Sequence, residues 1–456
     1  MYIKSFFKAK GIISANGEIK TSWRYGMRFL GKVFLTISLT ILPFSAFASN
    51  GGISAGDTAW VLVSAALVMM MTPAGLALFY GGMVRAKNIL NSMGMSFVTF
   101  GVVSVLWVVF QFSLAFSGDI GGWIGNLKYL FLITDINKVY PGTHVSVMAF
   151  AAFQLTFAAI TTALISGSVV ERVKFSAWVV FSIVWSTLVY VPLAHWVWGG
   201  GWLSKLGIAD FAGGLVVETC SGIAGLVFAL MVGVRRGFGK TAMPPSSIAL
   251  SIFGAAMLWF GWFGFNAGSA IASNALASNA FLVTNTAGAC GALSWMAMDW
   301  AIHKHPTMLG FASGAVAGLV AITPAAGFVN NVGAIFIGLV AGIISWFATG
   351  YLKYKLNYDD SLDVFGVHGL NGIWGTLAIG FFGDPSVNFA RGLIYGGTGQ
   401  IIVQLIGVAS TIAFVGFGTF VSVKITSFLT GGLRVDEEDE IRGLDIAVHT
   451  EKGFEL

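Results

Sequence analysis

Eleven long apolar runs, joined by short polar links, constrain this chain more than any other feature of its sequence. They fall near residues 58–81, 93–117, 145–166, 175–197, 213–233, 247–266, 277–300, 308–323, 331–352, 364–383 and 396–423. In a helix, about 20 apolar residues cross the roughly 30 Å hydrocarbon core of a bilayer. Inside that core every backbone N–H and C=O must be satisfied within the protein, which leaves helix bundles and closed barrels. Barrel strands are short and alternate in polarity, whereas these runs are long and uniformly apolar. With 56% hydrophobic and 10% charged residues, the chain has too little polar surface for a water-soluble protein. Sixty glycines fit helices that approach closely in lipid. The expected fold is an all-α polytopic membrane protein with eleven transmembrane helices.

Residues 1–48 differ from the rest. They carry seven Lys/Arg and one acid, then a short apolar run from Val33 to Phe44, then Ala46-Phe47-Ala48. Basic, apolar and small-residue zones in that order make a cleavable signal peptide, with cleavage after Ala48. The expected domains are this signal at 1–48, a transmembrane domain at 49–423 and a C-terminal tail at 424–456. The formal net charge of +5 comes from the leader, so it gives no reason for a nucleic-acid partner. Cys220 and Cys290 lie inside apolar runs and read as small core residues rather than a disulfide.

Loop charge sets the orientation. With an exported N-terminus, the inner loops and tail hold twelve Lys/Arg, among them Arg85, Arg172, Arg235 and Arg434. The outer loops hold four: Lys128, Lys138, Lys205 and Arg391. The bias obeys the positive-inside rule and makes the C-terminus cytoplasmic. Runs one to five and six to ten then form two halves of odd span number, which cross the membrane in opposite senses. Such an inverted five-plus-five repeat places a site near the midplane.

A local pattern agrees with that division. Val217-Glu218-Thr-Cys-Ser-Gly222-Ile223-Ala-Gly225 lies in the last run of the first half. Val367-His368-Gly-Leu-Asn-Gly372-Ile373-Trp-Gly375 lies in the last run of the second half. Both read Val-(Glu or His)-x-x-x-Gly-Ile-x-Gly. An ionisable residue at membrane depth is a functional candidate. A structural hydrogen bond is the plainer role for either alone, but the matched positions point to one shared site. A carboxylate beside an imidazole holds a proton, passes one or attracts a cation. His195 also lies in an apolar run. Phe153 and Phe157, Trp196 and Trp198, and Trp262, Phe263 and Phe265 form an aromatic set. Its roles are core packing, an interfacial belt or a cage whose ring faces attract a small cation. Ser269 follows run six on the outer side and adds a hydroxyl acceptor. Asp210 and Asp363 precede runs five and ten and read as helix N-caps at opposite faces. The acidic run from Asp436 to Glu440 reads as solvated surface.

The carriers of a wider likeness are Phe153-Gln-Leu-Thr-Phe157-Ala, Ala194-His-Trp-Val-Trp198-Gly-Gly-Gly, Asp210-Phe-Ala-Gly-Gly, Trp262-Phe-Gly-Phe-Asn-Ala-Gly-Ser269, Asp363-Val-Phe-Gly-Val-His368-Gly and Gly432-Leu-Arg-Val. In order and content they resemble the ammonium transporter, methylammonium permease and Rhesus protein family, and within it the bacterial ammonium transporter branch. The resemblance implies a homotrimer in the bacterial inner membrane, with a narrow apolar pore through each subunit. It implies an external ammonium site at Phe157, Trp198 and Ser269 and a gate of stacked Phe157 and Phe265. It also implies a pore-lining Trp262 and a structural Asp210. The tail would pack on the cytoplasmic face, where a PII-type signal protein docks in this family. The family pore normally holds a pair of histidines. His368 matches the second, and Glu218 stands in place of the first, as in some fungal members.

The expected function is electrogenic ammonium transport, as ammonia plus a proton or as ammonium, with Glu218 and His368 as the proton path. The alternatives are an ammonium sensor with little conduction and a neutral ammonia gas channel. The chain shows no nucleotide-binding loop, and Glu218, His368 and Asp363 lack the spacing of a metal motif. No enzyme activity, metal or cofactor is expected.

Overall fold

The computed structural model describes residues 52–454, and the expected signal at 1–48 lies outside them. The described residues contain no strand; three isolated bridges tie loops. The long helices, in chain order, are α1 (Ala55–Met83), α2 (Ala86–Phe116), α3 (Val147–Val169), α4 (Phe175–Leu206, broken at 198–201), α5 (Gly214–Val232) and α6 (Ile248–Gly268). They continue with α7 (Ala275–His303), α8 (Met308–Ile322), α9 (Asn331–Lys355), α10 (365–382) and α11 (Gly399–Leu429). Among the described residues, eight of these helices are long and apolar enough to cross a membrane. The other three are the short α8 and α10 and the more polar α7, which carries Asn285, Thr286 and Asp299.

Helix starts follow from side-chain caps. Ser146, Ser247, Asn274, Thr307 and Asn330 each accept a backbone N–H from the first turn of the helix that follows. Such caps satisfy donors that the helix itself cannot. Two edges differ clearly from the apolar runs. Helix α2 begins at Ala86 rather than near 93, because Lys87, Asn88 and Asn91 form a polar first turn. Helix α11 continues beyond 423 to Leu429. Asp363 does not cap α10. Asp360 Oδ2 accepts Phe365 N at 2.7 Å, while Asp363 adopts a left-handed φ of 64° and pairs with Lys353 at 2.8 Å. Cys220 is buried and Cys290 half-buried, both as free thiols.

Helix α1 packs on α3 and α6, α7 packs on α8 and α9, and α5 packs on α10 and α11. The crossing of α5 with α10 is one of the close approaches. A Cβ on Gly372 would lie 2.6 Å from Thr219 N and 2.8 Å from Glu218 Cβ. A Cβ on Gly222 would strike the backbone of Gly369. Each helix thus uses its pattern glycine to press against the residue that follows the other's ionisable group.

At the end of the bundle that carries the tail, loop charges form a buried network. Glu171 accepts Arg85 N at 2.8 Å and Arg235 Nη1 at 2.9 Å. Asp359 accepts Arg235 N at 2.7 Å and Nη2 at 2.8 Å. Buried Arg172 donates to Gly233 O, Ser361 Oγ and the Asp359 carbonyl. The tail joins this network through α12 (Glu437–Arg442) and α13 (Leu444–His449). Glu440 accepts Arg236 N and Arg434 Nη2, and Asp445 accepts Leu90 N and Asn91 N at the start of α2. The acidic run is therefore not simply solvated, since Glu440 is buried in an ion pair. Burial alone would raise the Glu171 and Asp359 carboxyls. Arg235 opposes it for both, assisted by Arg85 and Arg172 respectively, and the net result lies below the ordinary range.

Three outcomes follow for detergent-purified protein. Arg235→Leu leaves two buried carboxylates without their shared cation and should cost about 3–5 kcal/mol, read as a lower thermal unfolding midpoint. The stabilisation from Glu171 and Asp359 is present above their unfolded values, near pH 4. It is lost as pH falls through their depressed folded values. The midpoint should therefore drop in acid below about pH 4, and Glu171→Gln should flatten that drop. Gly372→Val forces a side chain into the α5–α10 crossing. It should lower the midpoint by the equivalent of about 1–3 kcal/mol; an unchanged midpoint would show that the crossing is loose.

Candidate functional site

Two cavities enter the bundle from opposite ends, and each is called outer or inner after the face it takes in the orientation expected from the loop charges. The outer one, of about 320 Å³, is lined by Gln154, Phe157, Trp198, Asp210, Ser269 and Phe328, among others. The inner one, of about 670 Å³, is lined by His368, Asp363, Asp299, Trp295 and Trp346, among others.

Trp198 stands where α4 breaks before three glycines. Its indole Nε1 donates to the Asp210 carbonyl at 2.9 Å, which fixes the ring plane. Phe157, on α3, lies edge-on to Trp198 with ring centroids 5.7 Å apart. Beneath it Phe265, on α6, lies 4.3 Å from Phe157 at an interplanar angle of 36°. The two phenylalanines are buried and in contact, so they close the floor of the outer cavity. Ser269 Oγ donates to Phe265 O at 2.8 Å, which spends its proton and leaves the oxygen as an acceptor. Trp262 lies one turn before Phe265, with centroids 5.5 Å apart, and its Nε1 is held by Thr323 Oγ1 at 2.8 Å.

Asp210 does what a cap residue should, on a larger scale than expected. Its Oδ1 accepts Gly213 N and Gly214 N, and its Oδ2 accepts Leu215 N and Val216 N. All four lie at the start of α5, where the amides of a helix have no internal acceptor. Asp210 thereby fixes both that start and, through its carbonyl, the Trp198 ring.

Glu218 and His368 meet between the cavities. Glu218 Oε2 lies 2.7 Å from His368 Nδ1. The two residues are 1% and 3% exposed. Both sit in π-helical turns, Gly214–Thr219 and Phe365–Gly369, that open α5 and α10. Such turns release backbone from the regular ladder and recur at functional sites. A carboxylate facing Nδ1 orients the ring and fixes the direction in which Nε2 points.

The structure thus brings Phe157, Trp198 and Ser269 to one cavity, stacks Phe157 on Phe265, and pairs Glu218 with His368. His195 belongs elsewhere. Its Nδ1 lies 2.9 Å from Ala115 O and its Nε2 lies 3.0 Å from Asp119 Oδ1, which ties α4 to the loop after α2. Asp119 also pairs with Lys205, and His195 with Lys205 holds its carboxyl down at about 2. Sequence reasoning missed Gln154, Asp360 and Thr323. Only the first had a visible signal, as a polar residue between Phe153 and Phe157.

Comparison with known proteins identifies the family of the chain. The family model for the Ammonium Transporter Family matches residues 59–454. An ammonium transporter of Aquifex aeolicus is 48% identical over 430 residues, covering 94% of this chain and all of that one. Among solved structures, Mep2 of Saccharomyces cerevisiae superposes with a TM-score of 0.80 at 34% identity, covering 85% of this chain and 89% of that one. A structure titled Sensor Amt Protein also gives a TM-score of 0.80, at 28% identity, covering 86% of this chain and 98% of that one. The chain belongs to the Ammonium Transporter Family.

Proposed function

We propose that this ammonium transporter is electrogenic and that Glu218 and His368 carry the proton. Ammonium is recruited at Phe157, Trp198 and Ser269, passes the Phe157–Phe265 gate, and gives up its proton at or above the Glu218–His368 pair. Ammonia then crosses beside Trp262, and the proton follows through the pair. The observation that carries this reading is the buried 2.7 Å contact between Glu218 Oε2 and His368 Nδ1. A charge at the bilayer centre costs about 2.5–3.5 kcal/mol on insertion scales. Separating ammonia from its proton removes that cost for the ligand, and an ionised Glu218 offsets part of it for a cation. The same carboxylate makes this pore less selective against potassium-sized cations than one with two histidines.

The proposal includes eleven spans with an outer N-terminus, a cytoplasmic C-terminus and a bacterial inner-membrane location. It includes an inverted repeat of α1–α5 and α6–α10. The packing supports that repeat: α1 on α3 is matched by α6 on α8, α2 on α4 by α7 on α9, and α3 on α5 by α8 on α10. A cleaved signal at 1–48, a homotrimer and a PII-type partner at the tail face complete it; these rest on the sequence and its resemblance. The second reading is an ammonium sensor, favoured by the likeness to the structure titled Sensor Amt Protein.

Currents evoked by ammonium pulses on proteoliposomes of purified protein decide between them, with sodium and potassium pulses as controls. Glu218→Gln should reduce the saturating ammonium current at least tenfold, and Glu218→His should sharpen discrimination against potassium. Unchanged current and selectivity in both would remove Glu218 from the path. Binding without current would make the protein a sensor, and flux without current a neutral-gas channel. Trp198→Ala with Ser269→Ala removes a cation–π contact and an acceptor, together about 2–3 kcal/mol. The half-saturating ammonium concentration should then rise roughly thirtyfold to a hundredfold or more.

A further inference from the structure

The outer cavity holds one polar side chain whose bonding the protein leaves open. Gln154, on α3 one turn before Phe157, is 8% exposed and lines the same cavity as Phe157, Trp198 and Ser269. Its Oε1 is enclosed and has no hydrogen-bond partner among the described residues. A buried amide without a partner is costly and uncommon in folded proteins. Its neighbours are poor candidates for one. Phe157 and Phe328 offer rings. The Trp198 indole N–H is spent on Asp210 O, and the Ser269 proton is spent on Phe265 O. The Asp210 carboxylate is occupied by four backbone amides.

We propose that Gln154 is a direct ammonium-binding residue of the outer site, its amide oxygen accepting one N–H of the bound cation. This inference rests on the recruitment reading above and completes its chemistry. Ammonium carries four N–H donors and one charge. The ring faces of Phe157 and Trp198 stabilise the charge but are weak acceptors. Ser269 Oγ supplies one full acceptor, and Gln154 Oε1 supplies a second. Rotation about the last side-chain bond exchanges the two ends of an amide, so the oxygen turns to the ligand without moving the helix. Methylammonium keeps three N–H groups, enough for both acceptors, so Gln154 serves the two cations alike.

The test is ammonium binding to the full-length purified protein, by calorimetric titration with ammonium chloride replacing sodium chloride at constant ionic strength. Methylammonium titrations and proteoliposome currents run alongside. Gln154→Leu keeps the volume and removes the acceptor. One hydrogen bond to a charged group is worth about tenfold in affinity. The ammonium Kd and half-saturating concentration should rise about that much, and comparably for methylammonium, with the saturating current within twofold of wild type. Gln154→Glu keeps the shape and adds charge, and it should tighten ammonium binding. It serves also if Gln154→Leu fails to fold. Unchanged affinity in a folded Gln154→Leu, or in Gln154→Glu, overturns the proposal and leaves the amide to water. A reduced maximal current with unchanged Kd overturns it in favour of a packing role. Binding that responds to Gln154 without any wild-type current would sink the transport reading and leave this inference standing. Absence of wild-type binding would sink this inference.

Discussion

Two helices that touch backbone to backbone make this site. Packed helices ordinarily lie about 8–10 Å apart, a spacing set by the side chains between them. At that separation short polar side chains near the two axes have difficulty meeting. Gly222 and Gly372 remove the intervening side chains, so α5 and α10 cross with Thr219 and Gly369 at the contact. The residues just before these, Glu218 and His368, then face each other at 2.7 Å.

The pair is surrounded by groups that satisfy polar atoms without adding net charge. Thr219 Oγ1 donates to Gly214 O and Ser221 Oγ donates to Glu218 O, so nearby hydroxyls are consumed locally. The rings of Phe157 and Phe265 pack against each other with centroids 4.3 Å apart, tilted by 36°, and aromatic faces of this kind attract cations. Asp210 spends its charge on the first turn of α5 rather than on the ligand, and that turn contains Glu218. Anchoring the start of α5, orienting Trp198 and placing Glu218 are therefore one structural act, carried by the single residue Asp210.

Where the sequence was legible, it was because the solvent leaves no choice. Hydrocarbon demands long apolar helices, so the runs predicted most of the helix limits within a few residues. The paired pattern around Glu218 and His368 was readable because crossing helices need glycine at fixed spacing from the residues they present. The polar first turn of α2 was not, because its partner is Asp445, more than 350 positions away. Asp363 and Asp360 both precede α10 with suitable chemistry. Only the backbone, left-handed at Asp363, decides that Asp360 caps and Asp363 turns to Lys353. Gln154 was hidden for a different reason: a glutamine inside an apolar run is conspicuous, but whether its amide is bonded is a fact of three dimensions.

The same lesson holds for the basic residues counted as markers of sidedness. Arg85 precedes α2, Arg172 precedes α4, Arg235 follows α5, and Asp359 joins α9 to α10. Their bonds to one another and to Glu171 fasten the tail-face ends of both halves into one block. A positive-inside bias requires only that cations lie on one side; it does not require them to be buried or paired. Burial with carboxylate partners shows that these arginines also hold the inner ends of α5 and α10 at a fixed separation. The tail then closes the block, with Glu440 on Arg236 N and Asp445 on the first amides of α2. Moving the tail must therefore unsatisfy buried polar groups at that end of the bundle, at the start of α2 and just after α5.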